Sequence, residues 1–215
     1  MLLKPFSNKK NMKKIVITAL VALLPLALWA QDNTWEKTEV DETQEKKEVK
    51  DAKYLKGAVP EVNGKVVFAT SINAPGKTAD EVFDILKAYL QKMTGEKNQV
   101  DARIVVDDKE KHELGATFNE WLVFKSTAIQ LDQTRMLYAI KVRCAEGKAD
   151  IEMSHIRYVY EEKRNPQHYT AEEWISDKEA LNKKGTRLLP VSGKFRRKTI
   201  DRKDFLFNKF ENLLK

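Results

Sequence analysis

The side chains that could carry chemistry are few. His112, His155 and His168 are the only histidines and Cys144 is the only cysteine. A zinc site gathers His, Cys and carboxylate ligands around the ion, and no two of these histidines fall at ligand spacing on one element. His155 therefore reads as a hydrogen-bonded structural ring. A lone cysteine forms no intramolecular disulfide, and strand alternation puts Cys144 beside Val142 on an apolar face, as a small buried hydrophobe rather than a reactive thiol. Asp107, Asp108, Glu110 and Glu113 crowd one turn with Lys109 and Lys111. Calcium loops place acids at alternating positions around a central glycine; DDKEKHELG keeps neither feature and reads as a solvated acidic turn. Ser126, Ser154 and Ser192 lack a nucleophile elbow, and no glycine-rich phosphate loop is present. Glycoside hydrolysis needs two carboxylates across one cleft, and nothing selects such a pair. These residues imply no catalytic site, no metal and no cofactor.

Lys194, Arg196, Arg197, Lys198, Arg202 and Lys203 make a basic cluster near the C-terminus. Phosphate binding starts from such clusters, but the N-terminus argues for export, away from cellular nucleic acid. The expected partner is an envelope protein or an anionic surface. Net charge agrees. The chain is +7, yet residues 1–30 hold Lys4, Lys9, Lys10, Lys13 and Lys14 and no acid; without those five of 39, 34 basic side chains face 32 acidic ones. The remainder is close to neutral, about +2.

Residues 1–30 read as a secretory signal peptide: a lysine-rich start, the apolar run IVITALVALLPLALWA, then polar QDN. The run contains Pro25 and falls short of the roughly 20 residues that span a bilayer, so cleavage after Ala30 is expected, leaving a periplasmic or secreted protein that is not integral to the membrane. Residues 31–58 are dense in Glu, Asp and Lys, and such composition cannot offset chain entropy by burial. They read as a charged linker, either a tether or a solvated helix from about Glu39 to Leu55.

The elements belong to one domain over residues 59–215. Its clearest part is the hairpin RMLYAIKVRCAEGKADIEMSHIRYVY. With Glu146-Gly147 as the turn, Arg143 faces Asp150 and Lys141 faces Glu152 on one side, while Val142 meets Ile151 and Ile140 meets Met153 on the other. The apolar phase then shifts to Ile156, Tyr158 and Tyr160, which predicts a β-bulge near Ser154-His155. Upstream, GKVVFATSINAPG is a strand, and TADEVFDILKAYLQKMTG a helix with a Thr78/Glu81 capping box and a stripe of Val82, Ile85, Leu86, Tyr89, Leu90 and Met93. QVDARIVVDD and FNEWLVFKSTAIQ are strands. From about residue 166 the chain turns helical: TAEEWISDKEALNKKG with a Thr170/Glu173 capping box, the basic linker SGKFRRKTIDRK, then the helix DFLFNKFENLLK.

The order β-α-β-β-β-β-α, with a further C-terminal helix, predicts an α+β fold: an antiparallel sheet with helices packed on one face. The stretches GKVVFATSINAPGKTADEVFDILKAYL, LYAIKVRCAEGKADIEMSHIRY and KFRRKTIDRKDFLF resemble a family of uncharacterised exported proteins common in Bacteroidetes, described as having a TATA-binding-protein-like fold. The resemblance covers roughly residues 60 to 160. It implies fold and export, and carries no catalytic residues.

One sheet face is then left uncovered. Taking Asp132-Gln133 as the turn between the third and fourth strands sets Leu122 opposite Arg143, Phe124 opposite Lys141 and Ala128 opposite Leu137, with Trp121, Val123, Val142 and Cys144 in the core. Leu122, Phe124, Leu137, Lys141, Arg143, Asp150 and Glu152 become the candidate partner surface of a non-enzymatic binding module. The competing expectation is a hydrolase or small-ligand carrier whose site forms only in the fold. Cleavage of the leader has a direct check: mass spectrometry of the envelope fraction is expected to find an amino terminus at Gln31, and intact Lys13-Lys14 in that fraction would refute it.

Overall fold

The order of the elements follows from where the chain can turn. The computed structural model describes residues 51–127, 129 and 131–215; the expected signal peptide and nearly all of the expected linker lie outside them. After a 3-10 turn at Ala52–Tyr54, β1 (Glu61–Val62) and β2 (Lys65–Val66) form a small hairpin. Its Asn63-Gly64 turn takes φ of +51° and +71°, the left-handed pair that Asn-Gly tolerates best. The expected first strand is therefore split, and β3 (Phe68–Asn73) carries on into the main sheet. Helix α1 (Ala79–Thr94) begins with the expected capping box: Glu81 N donates to Thr78 Oγ1 at 3.3 Å and Thr78 N to Glu81 Oε2 at 2.8 Å. It buries the predicted stripe except Ile85, and adds Phe83.

Four strands follow: β4 (Arg103–Asp108), β5 (Glu113–Ser126), β6 (Leu131–Ala145) and β7 (Lys148–Tyr160). The antiparallel sheet runs β3-β7-β6-β5-β4, and a short unanticipated strand, β8 (Gln167–Thr170), pairs with the far half of β7. The β6–β7 register is the one read from the sequence: Arg143 opposite Asp150, Lys141 opposite Glu152, Val142 opposite Ile151 and Ile140 opposite Met153. Gly147 has φ +71°. The predicted bulge is present, since Ala139 pairs with Ser154 but Leu137 with Arg157, and His155 turns to φ +56°.

Two helical expectations are corrected. The helix expected after Thr170 is two single turns, α2 (Ala171–Trp174) and α3 (Asp177–Ala180). They are separated at Ile175-Ser176, where Ser176 is extended and the Ile175 carbonyl accepts from Arg196 Nη1 at 2.7 Å. The Thr170/Glu173 box does cap the first turn. The expected basic linker is itself helical: α4 runs unbroken over Ser192–Leu214 and buries Phe195, Arg196, Thr199, Ile200, Arg202, Leu206, Phe210 and Leu214. Their three- and four-residue spacing is that of a helix stripe, with two arginines standing where apolar residues are the rule.

The β5–β6 register is also corrected. The pairing ends with Ser126 opposite Leu131, so Asp132-Gln133 is not the turn, and Leu122 lies opposite Thr134, with Glu113 opposite Arg143. The register shifts between Val123 and Lys125, so Phe124 is an extra residue. One inserted residue sends everything beyond it to the other face. Leu122 is thus buried beneath the helices with Leu114, Phe118, Met136, Tyr138 and Ile140. Phe124 packs 4.6 Å from the ring of Phe195 in α4. Trp121 and Val123, expected in the core, pair with Arg135 and Gln133 on the opposite side.

The turn that sets the central hairpin is testable. Nothing lies within 4 Å of a Cβ added at Gly147, so Gly147→Val acts through backbone strain alone. It is expected to destabilise by about 1–3 kcal/mol in urea unfolding; an unchanged midpoint would show that the left-handed turn contributes nothing.

Candidate functional site

The residues first considered for chemistry serve the fold. His112, at φ +53°, places Nε2 2.7 Å from Asp80 Oδ1 and its ring edge-on to Phe83, clasping the β4–β5 turn to the start of α1. His155 sits in the bulge with Nδ1 3.0 Å from Ser154 Oγ, and His168 is exposed on β8. The acidic turn is internally paired. Asp108 accepts from Lys111 N and Nζ at 3.0 and 2.8 Å, which holds its carboxyl below the usual range, and Lys109 reaches Asp84 at 2.9 Å. Burial pushes the Cys144 thiol up to about 12. Among the described residues no three His, Cys, Asp or Glu side chains converge as a metal site.

The basic cluster is corrected as well, because as part of α4 it points inward and along the fold. Arg196 is fully buried and donates to the carbonyls of Tyr54, Leu55 and Ile175 and to Asp177 Oδ1, all at 2.6 to 2.7 Å. Arg202, also buried, makes a two-pronged pair with Glu120 on β5, Nε to Oε1 and Nη2 to Oε2, each 2.7 Å. Asn98 and Gln99 add hydrogen bonds to Glu120 Oε2 at 3.2 and 2.9 Å. Burial opposes the Arg202 charge, but Glu120 facing it outweighs burial and raises the guanidinium pKa above its ordinary value. Lys194 meets Asp132 at 2.7 Å over the rings of Phe124 and Tyr160, Arg197 meets Asp51 at 2.8 Å, and Lys203 meets Asp204. This helix offers no free anion-binding tail.

What remains for recognition is the sheet face turned away from α1 and α4. Of the seven residues expected there, Leu137, Lys141, Arg143, Asp150 and Glu152 lie on it, whereas Leu122 is buried in the core and Phe124 packs against Phe195 of α4 for the reason given above. The pairing rows divide the face in two. At the hairpin end, charge is internally balanced: Arg143 Nε donates to Glu113 Oε1 at 3.1 Å, and Lys148 approaches Asp150 at 3.5 Å. At the other end one row runs Asn119, Leu137, Arg157, Thr170 and the next Trp121, Arg135, Val159, His168. Arg135 pairs with Glu162 at 2.8 Å, but its Nε and Asn119 Oδ1 are buried without a hydrogen-bond partner. Arg103, Lys141 and Arg157 are exposed and take part in no ion pair among the described residues. A shallow depression of about 210 Å³ opens between Leu137, Val159 and His168. Trp121, Arg157, Val159 and His168 were not anticipated. For Arg157 and Val159 the signal was present, because the phase shift at the bulge puts them opposite Ile156 and Tyr158.

The buried pair between α4 and β5 carries a stability prediction. Glu120→Leu removes the buried two-pronged partner of Arg202, leaving the longer contact to Glu96 at 3.8 Å, and is expected to cost about 3–5 kcal/mol. Adding Arg202→Met is expected to recover most of that loss in urea unfolding; equal loss in the double variant would show that packing, and not the broken charge pair, is responsible.

Comparison with known proteins follows this architecture. A family model described as a domain of unknown function (DUF4468) with TBP-like fold matches residues 68–159. The crystal structure of a DUF4468 family protein from Bacteroides ovatus is similar at 40% identity with a TM-score of 0.72, over 76% of this chain and 94% of that one. A TBP-like protein from Parabacteroides distasonis shares the fold at 21% identity and TM-score 0.61, over 73% and 96% of the two chains. No curated protein matches. An antiparallel sheet with its helices on one face, a family match across its strands and a relative of 40% identity agree: the chain belongs to the DUF4468 family, a domain of unknown function with a TBP-like fold.

Proposed function

We propose that this protein is an exported module of the cell envelope that binds a partner polypeptide through the uncovered face of its sheet and catalyses no reaction. The observation that carries the reading is the half of that face where Trp121, Val123, Leu137 and Val159 lie among Arg135, Arg157 and His168, on the side away from α1 and α4. Apolar and aromatic side chains interleaved with arginine are the composition of recognition surfaces. The lysine-rich, apolar leader supports export, and among the described residues no helix is long and apolar enough to cross a membrane.

A hydrolase or small-ligand carrier is the less supported reading. The two depressions described measure about 260 and 210 Å³, below the roughly 300–1,000 Å³ of small-molecule pockets. The larger is lined by Lys77, Glu81, Asp84 and Ile85. There Lys77 donates to the Leu214 carbonyl, Glu81 closes the α1 capping box and Asp84 pairs with Lys109, so each ionisable group is already engaged in the fold.

Site-specific photocrosslinking in intact cells tests the binding reading. A benzophenone side chain at position 137, on the open face, is expected to trap a discrete adduct in the envelope fraction, and one at Lys92 on the outer surface of α1 is not. No adduct from position 137, or the same adduct from both positions, would remove the open face as the binding surface.

A further inference from the structure

We infer that the protein pairs with a second copy of itself edge to edge through β4, so that two sheets join into one and their open faces become continuous. The inference does not need the open-face reading above. β4 is an end strand of the sheet, and among the described residues it pairs with β5 alone. The outer backbone groups of such a strand are a template for another one. Two β-branched side chains stand bare there, Val105 at 51% exposure and Val106 at 41%. Both lean over Gly115, where an added Cβ would meet Val106 Cγ2 at 3.0 Å and Val105 Cγ2 at 3.5 Å. Gly115 lies opposite Lys141, so this is the open side of the sheet. Arg103 and Asp108 share that side, because their opposite numbers Thr117 and Glu113 stand two residues either way from Gly115 along β5. Ile104 and Asp107 take the other side: Ile104 packs on the core and Asp107 meets Lys87 of α1 at 2.7 Å.

The order of these side chains selects the occupant. Residues directly opposite in an antiparallel pair share a face. β4 reads Arg-Ile-Val-Val-Asp-Asp. Reversed against itself about the Val105–Val106 bond, it sets Arg103 against Asp108, Val105 against Val106 and Ile104 against Asp107, each pair on one face. A shift by one residue sets Arg103 against Asp107, which lie on opposite faces, and fails. Arg103 is exposed and takes part in no ion pair among the described residues. Asp108 accepts from Lys111 N and Nζ, and an ionised carboxylate has lone pairs for a further donor. The extra residue at Val105 puts β4 out of step with a regular strand. A second copy carries the same extra residue at the matching place and keeps the faces aligned. At the other end of the sheet β3 exposes Ala69, Ser71 and Asn73 and offers no charge. The β4 joint is isologous, so it closes at two copies.

Sedimentation velocity over a concentration series tests this, on protein purified from cells expressing the full sequence. The native chain is expected to pass from monomer to dimer as concentration rises. Arg103→Asp sets acid against acid across the joint, and Asp108→Arg sets arginine against arginine. Each is expected to weaken the dimer about tenfold or more, as like charges across an interface do. Mixing the two variants is expected to restore a dimer, now of one copy of each, because each supplies the charge that the other lacks. The double variant, with both reversals in one chain, is expected to dimerise by itself, which keeps the test decisive where a single variant fails to fold. Arg157→Asp, on β7, is expected to leave the dimer unchanged. A native chain that stays monomeric, a dimer that survives both single reversals, or equal loss with Arg157→Asp overturns the inference. So does a failure of both the mixture and the double variant to dimerise.

Discussion

Two arginines without access to water tie the C-terminal helix to everything else in this fold. A buried guanidinium is tolerated only where acceptors surround it, and α4 carries two. Arg196 gathers three backbone carbonyls and Asp177, so the residues before β1 and the two short turns α2 and α3 are held to the helix. Arg202 meets Glu120 at the centre of β5, and Glu120 in turn holds Asn98 and Gln99 of the connection between α1 and β4. Segments far apart in sequence thereby share one arrangement. The composition that suggested an anion-binding tail instead supplies the internal ties of the domain.

Once α4 is locked over one side of the sheet, the other side is available for recognition, and bulges decide which residues it displays. Phe124 is the extra residue in β5, and the doubled pair after Ser154 is its counterpart in β7. Each reverses the alternation beyond it. Between them they collect Trp121, Leu137, Arg157 and Val159 on the open side while burying Leu122 in the core and directing Phe124, Tyr158 and Tyr160 toward the ring of Phe195. The two faces are thus products of the same insertions: a residue added to improve packing under α4 also moves its neighbours outward. Membership in a family of TBP-like fold constrains this architecture, but function still has to be argued from the displayed side chains, because one fold serves many purposes.

Much of the fold is legible in short-range pattern. Capping boxes at Thr78 and Thr170 mark helix starts through contacts only three residues apart, and Glu146-Gly147 sets a register that alternation then carries along both strands. The β7 bulge shows because the phase of Ile151 and Met153 changes to that of Ile156, Tyr158 and Tyr160 within one strand. The candidate surface was legible only in part. Lys141, Arg143, Asp150 and Glu152 hang from that turn and were placed on the open face; Leu122 and Phe124 hang from a turn whose position was misread and from a bulge that no local pattern marks.

The sequence by itself determined the order of the main strands, the helix α1, the central hairpin and the apolar character of Cys144, because each rests on contacts between residues near in the chain. Only the tertiary structure decided that the basic stretch from Lys194 to Lys203 is helical and partly interior, and that Leu122 belongs to the core while Trp121 faces outward. Those outcomes depend on partners 82 residues apart for Arg202 and Glu120, and on one unpaired residue at Phe124. Charge and hydropathy have no direction until a fold supplies one: an arginine pattern reads the same whether its counter-ion is a bound anion or a glutamate on the far side of the chain.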